Sequence, residues 1–250
     1  MKTKAVIKIS LFLITFFLAI AATIHLDKKI FAVEAIDVAW TPQAKEYCFD
    51  QKLLCDYLQS DLDTKLKTEI NKKIWQVDIA DLRKRLMQNN WFKMVAIARQ
   101  YPSKISLTID IEAPVALLAI GNEVLGVADE GQLLAPVKTN FLPALPILKG
   151  EIFFHNLAIR KLATNFLRDV SGNSELSSKT IAEMTFSKDE NFNLLILPSK
   201  SIVKMGAEQA ALKAERVAQV IEYLNSNQMN GRVIDARFSK KVLVRLRKGS

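Results

Sequence analysis

The chain has 250 residues, of which 50% are hydrophobic and 24% charged, so it can build a real core and is not a disordered tail. Only 8 Gly, 2 His and 2 Cys are present, which leaves little for phosphate-cradling glycine loops and excludes a His-rich or Cys-rich metal site. The formal charge of +9 points to nucleic acid, an anionic membrane surface or an acidic partner.

Lys2, Lys4 and Lys8 precede an uncharged run from Ile9 to Leu26. As a helix this run spans ~27 Å, close to a hydrocarbon core of ~30 Å. Two readings fit. One is a membrane anchor (9–26) with a short cytoplasmic tail (1–8), oriented by the basic N-terminus. The other is a cleaved signal peptide, since Ala19-Ile20-Ala21 has A-x-A form. Both export the rest of the chain, which weakens the nucleic-acid reading. Export also favours pairing of Cys48 with Cys55. On one unbroken helix these positions lie ~10.5 Å apart, beyond the ~7 Å a disulfide tolerates. Either the segment bends, or both thiols stay free. The reading is a bend and a bond.

Residues 30–38 alternate as a first strand, with Trp40-Thr41-Pro42 as its break. A helical pattern follows to about Ile74, with Leu53, Leu54, Leu58, Leu62, Leu66 and Ile70 on its apolar face. Asp78 suits the N-cap of a second helix. Two strands, Lys93–Arg99 and Lys104–Glu112, flank a turn at Tyr101-Pro102-Ser103. The second alternates strictly, with Ile105, Leu107, Ile109 and Ile111 inward and Asp110 and Glu112 on the solvated face. Short strands are predicted at 115–120, 124–127 and 132–135, then an extended connector at Leu142–Pro146. A helix over 156–169 directs Leu162, Ala163, Phe166 and Leu167 inward. Strands at 181–186, 192–197 and 201–205 lead to a helix at 208–224 and two last strands, 233–238 and 241–246. The fold class is α+β: a β-α-α-β-β module (27–116), then a mixed β-rich domain with two helices (117–250).

Catalytic signals are missing. His155 has no G-x-S-x-G partner, no P-loop occurs, and Trp91-Phe92 reads as core. The unusual feature is the C-terminus. Arg232, Arg237, Lys240, Lys241, Arg245, Arg247 and Lys248 face only Asp235, interleaved with Val242, Leu243, Val244 and Leu246. Such a strand either protects a sheet edge from aggregation or accepts a partner strand while its basic side chains steer an acidic partner.

The order of parts resembles the FtsQ/DivIB family of bacterial cell-division proteins. The resemblance is carried by NNWFKMVAIARQYPSKISLTIDIEAPVALL (89–118), VADEGQLLAP (127–136), LPALPILKG (142–150), IVKMGAEQAALKAERVAQVI (202–221) and VIDARF (233–238). It implies a single-span inner-membrane protein with a POTRA module, acting as a non-enzymatic scaffold at the septum. Its implied partners are FtsB-like and FtsL-like bitopic proteins, the first adding a strand to the terminal edge. The contact would map to Phe238, Ser239, Lys240, Lys241, Val242, Leu243, Val244, Arg245 and Leu246. Phe238 stands where the family has Tyr, and residues 41–60 resemble an insertion. No cofactor, metal, nucleic acid or small-molecule substrate is implied. The alternative is another exported POTRA-type chaperone or assembly module.

Overall fold

The computed structural model describes Phe16 and residues 30–170, 175–177, 179–188, 191–206 and 208–247, the Thr139 side chain excepted. The predicted tail (1–8) and, Phe16 apart, the predicted span (9–26) lie outside these residues. Among the described residues no helix is long and apolar enough to cross a membrane. The chain forms two compact units that divide between Ile111 and Glu112, ahead of the 116/117 boundary read from the sequence.

The first unit is a three-stranded sheet with helices. Strand β1 (Ala35–Trp40) leads into α1 (Pro42–Asp50) and α2 (Lys52–Leu66). After α3 (Ile79–Leu86) come β2 (Phe92–Gln100) and β3 (Lys104–Ile111). The strand order is β1-β3-β2, with β1 parallel and β2 antiparallel to β3. This is the POTRA-like order with its first helix cut in two.

Local chemistry explains the departures from the predicted bounds. Trp40 belongs to β1, and the break falls one residue later. The Thr41 hydroxyl accepts from the Ala44 amide at 3.2 Å, and Pro42 opens the helix where its missing N–H costs nothing. The same hydroxyl donates to Asp110 at 2.5 Å, so the outward face of β3 is tied to the cap rather than simply solvated. Gln51 leaves the helical region (φ −116°, ψ 47°), which separates α1 from α2. Across that bend Cys48 and Cys55 form a disulfide with Cα atoms 5.6 Å apart.

Helix α2 buries Leu54, Leu58, Leu62 and Leu66, while Leu53, expected on that face, is exposed. The helix does not run on to Ile74. A 3-10 turn (Lys67–Glu69) ends it, because the backbone of 71–74 bonds to residues 31–33 instead. Buried Glu69 accepts from Lys72 (2.8 Å) and Arg85 (2.6 Å). Burial alone would raise its pKa; these bonds outweigh burial and hold it below the usual glutamate value. The Asp78 carboxylate caps α3 through the Ala80 and Asp81 amides. Ile105, Leu107 and Ile109 of β3, with Trp91 and Phe92, are fully buried, as their alternation and setting suggested.

The second unit is built on a nine-stranded sheet. It contains β4 (Pro114–Ile120), β5 (Glu123–Ala128), β6 (Leu133–Pro136), β7 (Ile147–Lys149), α4 (Glu151–His155), α5 (Leu157–Val170), β8 (Ile181–Ser187) and β9 (Asn191–Ile196). Then come β10 (Ser201–Met205), α6 (Ala210–Ser226), β11 (Gly231–Asp235) and β12 (Leu243–Leu246). The order across the sheet is β12-β11-β10-β9-β8-β7-β4-β5-β6. Strand β7 and helix α4 are absent from the sequence reading, which had two helices here where the described residues hold three.

Ala163, Phe166 and Leu167 of α5 and Ala214, Val217, Ile221 and Leu224 of α6 pack into one core with Phe192, Leu194, Val203 and Ile234. Leu162, expected inward, is exposed. The turn Asp129-Glu130-Gly131 is clasped to α5. Buried Arg160 donates to the carbonyls of Gly131 (2.6 Å), Phe153 (2.7 Å) and Phe154 (2.8 Å). Thr164 donates to Asp129 O at 2.6 Å, and Lys161 and Arg168 pair with Glu130 and Asp129.

Candidate functional site

The last three strands and α6 build the C-terminal edge. β10 and β11 run parallel, which requires a crossover, and α6 supplies it. β11 and β12 run antiparallel, pairing Asp235 with Leu243, Ile234 with Val244 and Val233 with Arg245. A register shift at Gly231/Val233 gives Arg232 no opposite number. Both strands are shorter than predicted. β11 stops at Asp235 because that carboxylate accepts the Arg237 amide at 3.2 Å and turns the chain out of the ladder.

The same carboxylate takes the Arg237 guanidinium at 2.9 and 2.7 Å. Arg237 thereby holds the Asp235 pKa below the usual range, against the smaller effect of burial. So of the seven basic residues set against Asp235 in the sequence, Arg237 is matched with it within the fold. The turn places Ala236 in the core, its amide donating to Lys204 O at 2.9 Å.

Strand β12 lies at the sheet edge, and no strand pairs with its far side among the described residues. Leu243, Val244, Arg245 and Leu246 are all exposed. The Arg247 amide donates inward to Asn230 O at 2.9 Å. Alternation along the strand then turns the peptide groups of Arg245 and Leu243 inward as well. Those of Val244 and Leu246 point away from β11, available to a further strand.

The two faces of this edge differ. On the α6 side a cleft of about 500 Å³ runs between Val220 and Tyr223 of the helix and Lys241, Val242, Val244 and Leu246. Val242 is half-buried and packs against the core, so it supports the cleft rather than the edge ladder. Lys241 Nζ sits 5.3 Å from the centre of the exposed Phe238 ring, and Arg216 donates to Ser239 O, fixing the loop before β12. On the other face Lys200, Ile202, Arg232, Arg245 and Arg247 line a second cleft of about 580 Å³. Arg247 is anchored there on the carbonyls of Ser199 (3.2 Å) and Lys200 (2.8 Å).

The structure therefore brings Lys240, Lys241, Val242, Val244 and Leu246 together on a mostly apolar cleft and sets Arg245 on a cationic face, with Phe238 and Ser239 in the connecting loop. The α6 wall of the cleft, Tyr223 above all, is a contribution that the sequence reading did not include. Its signal was present as an exposed aromatic outside the apolar face of an otherwise regular helix. His155 ends α4 with its ring edge-on to Phe154 at 4.9 Å, a packing role.

A family model described as POTRA domain, FtsQ-type, matches residues 58–110. Another, described as cell division protein FtsQ/DivIB, C-terminal, matches residues 116–237 and so stops short of β12. Cell division protein FtsQ of Myxococcus fulvus is 23% identical over 168 residues, covering 65% of this chain and 59% of that protein. Cell division protein FtsQ of a Geobacter species is 23% identical over 177 residues, covering 68% of this chain and 64% of that protein. The match thus spans less than two thirds of either relative. Two family models in the family's own order, together covering most of the chain, establish that this protein belongs to the FtsQ/DivIB family of cell-division proteins.

Proposed function

We propose that this protein is a non-enzymatic scaffold of the bacterial division complex. Residues 9–26 anchor it in the inner membrane with the N-terminus inside, and the body works outside at the septum. Its C-terminal edge takes up a strand from a small bitopic, FtsB-like partner, with an FtsL-like protein in the same assembly. Phe238, Ser239, Lys240, Lys241, Val242, Leu243, Val244, Arg245 and Leu246 form the docking segment. The observation that carries this reading is β12 itself: an edge strand with outward peptide groups, a mostly apolar cleft rimmed by Lys240 and Lys241 along one face, and a row of cations along the other. Strand addition uses the first for affinity, and side-chain clefts supply specificity. The cations steer an acidic partner and speed encounter.

Val244→Pro tests it. Val244 carries an outward N–H, so proline there removes a donor to the partner and spares the ladder to β11. Co-purification of the full-length protein with its FtsB-like partner is expected to fall at least tenfold, with the thermal midpoint little changed. Undiminished co-purification by a folded Val244→Pro protein rules out strand addition at this edge.

A further inference from the structure

The end of the first unit where β1 begins carries exposed aromatic side chains that its core does not use. Phe31 and Trp75 pack with their rings tilted at 56° and ring centres 5.3 Å apart, and Lys73 Nζ lies 5.0 Å from the centre of the Trp75 ring. Trp75 and Ile30 are each 45% exposed. Tyr101, at the tip of the β2–β3 hairpin, is 66% exposed. The tip belongs to the same end, because Ser103 O accepts the Glu34 amide at 2.9 Å and Lys104 pairs with Ala35 across the sheet.

These side chains stand on a rigid support. Phe31 O accepts the Ile74 amide (2.9 Å), Val33 donates to Lys72 O (2.8 Å) and Asn71 donates to Val33 O (3.0 Å). Arg99 reaches from β2 to the same loop, giving Nε to Ile74 O (3.0 Å) and Nη2 to Val77 O (2.7 Å). Trp and Tyr presented this way, apolar in body and polar at the tip, suit the headgroup zone of a bilayer better than water.

The chain adds a second argument. Leu26, the end of the predicted span, precedes Ile30 by four residues, a reach of at most ~14 Å. This end of the unit is therefore tethered close to a headgroup zone that extends ~5–7 Å beyond the hydrocarbon. Lys28, Lys29, Lys73 and Lys104 outnumber Asp27 and Glu34 here, which complements an anionic surface.

We infer that the Ile30–Phe31–Trp75–Tyr101 end rests in the interface of an anionic bilayer, with Lys73 and Lys104 toward lipid phosphates. The first unit is then held at the surface by contact as well as by its tether. The inference rests on the membrane-spanning reading of residues 9–26.

The test uses the full chain in vesicles of equal parts phosphatidylcholine and phosphatidylglycerol, with the acyl chains brominated near the headgroup or left plain. Bromolipid is expected to quench wild-type tryptophan emission, Trp75→Phe is expected to abolish that quenching, and Lys73→Glu to reduce it. Protein that floats with the vesicles but shows no quenching, or equal quenching in wild type and Trp75→Phe, overturns the interfacial contact and leaves the anchor standing. Protein that separates from the vesicles on a density gradient overturns the anchor and the contact together.

Discussion

Arg237 closes on Asp235 with both arms of its guanidinium, Nε on Oδ1 at 2.9 Å and Nη2 on Oδ2 at 2.7 Å. The pair stands where β11 ends, and the chain it turns becomes the loop that delivers β12. Two residues of one short motif thus set the path of the candidate docking edge without belonging to it.

Replacing Asp235 with Ala removes the acceptor of three hydrogen bonds at this turn and is expected to cost roughly 1–2 kcal/mol of stability. Asp235→Asn keeps a side-chain acceptor and recovers part of that. The pH dependence has a definite sign. The folded-state pKa of Asp235 is lowered from its ordinary value of 3.8. Its contribution is therefore fully present above about pH 4 and lost as pH falls through the lower folded value. Denaturant titration at neutral pH and near pH 3 reads both effects. A wild-type advantage over Asp235→Ala that does not shrink in acid removes the carboxylate from the account.

Gly131 and Gly121 separate two costs of a side chain. Both have positive φ, +75° and +55°. A Cβ on Gly131 meets the Lys161 amide nitrogen at 2.8 Å, whereas nothing lies within 4 Å of one on Gly121. Gly121→Ala is expected to cost about 1–2 kcal/mol, the backbone penalty alone. Gly131→Ala should cost more, because it also pushes the turn off α5 and strains the bond from buried Arg160 to Gly131 O. Denaturation midpoints of the two variants decide the matter, and equal losses would mean that the clasp is loose.

The Cys48–Cys55 bond closes a short loop, and the chain-entropy model assigns it ~2–2.5 kcal/mol. Thiol titration of the purified, non-reduced protein is expected to find no free thiol. Reduction, or the Cys48→Ser/Cys55→Ser double variant, should lower the denaturation midpoint while partner co-purification persists, since both residues lie in the first unit. Two titratable thiols in the non-reduced protein would remove the bond.

Much of this protein is local and therefore legible. The strict alternation of β3 works because one face is buried, and a one-residue error would expose every apolar side chain at once. Helix α6 follows from apolar steps of three and four, and α3 from an Asp cap before its first turn. Helix geometry tied a bend between Cys48 and Cys55 to a bond between them, since two thiols that far apart on one helix cannot meet, but by itself it left free thiols open.

The rest needed partners distant in sequence. Strand β7 has three residues, and only its parallel pairing with β4 on one side and β8 on the other makes it a strand. Residues 71–74 leave the helical pattern because residues 31–33 bond their backbone. The basic C-terminus is the clearest case. By itself the sequence determined that basic and apolar residues interleave around the last strand and that an apolar run precedes the body. Only the tertiary structure decided that Asp235 matches Arg237, that Arg245 and Arg247 line one face, and that Val244 and Leu246 line a cleft with α6 on the other. The physical reason is that alternation fixes opposite faces of a strand, while packing alone decides what each face meets.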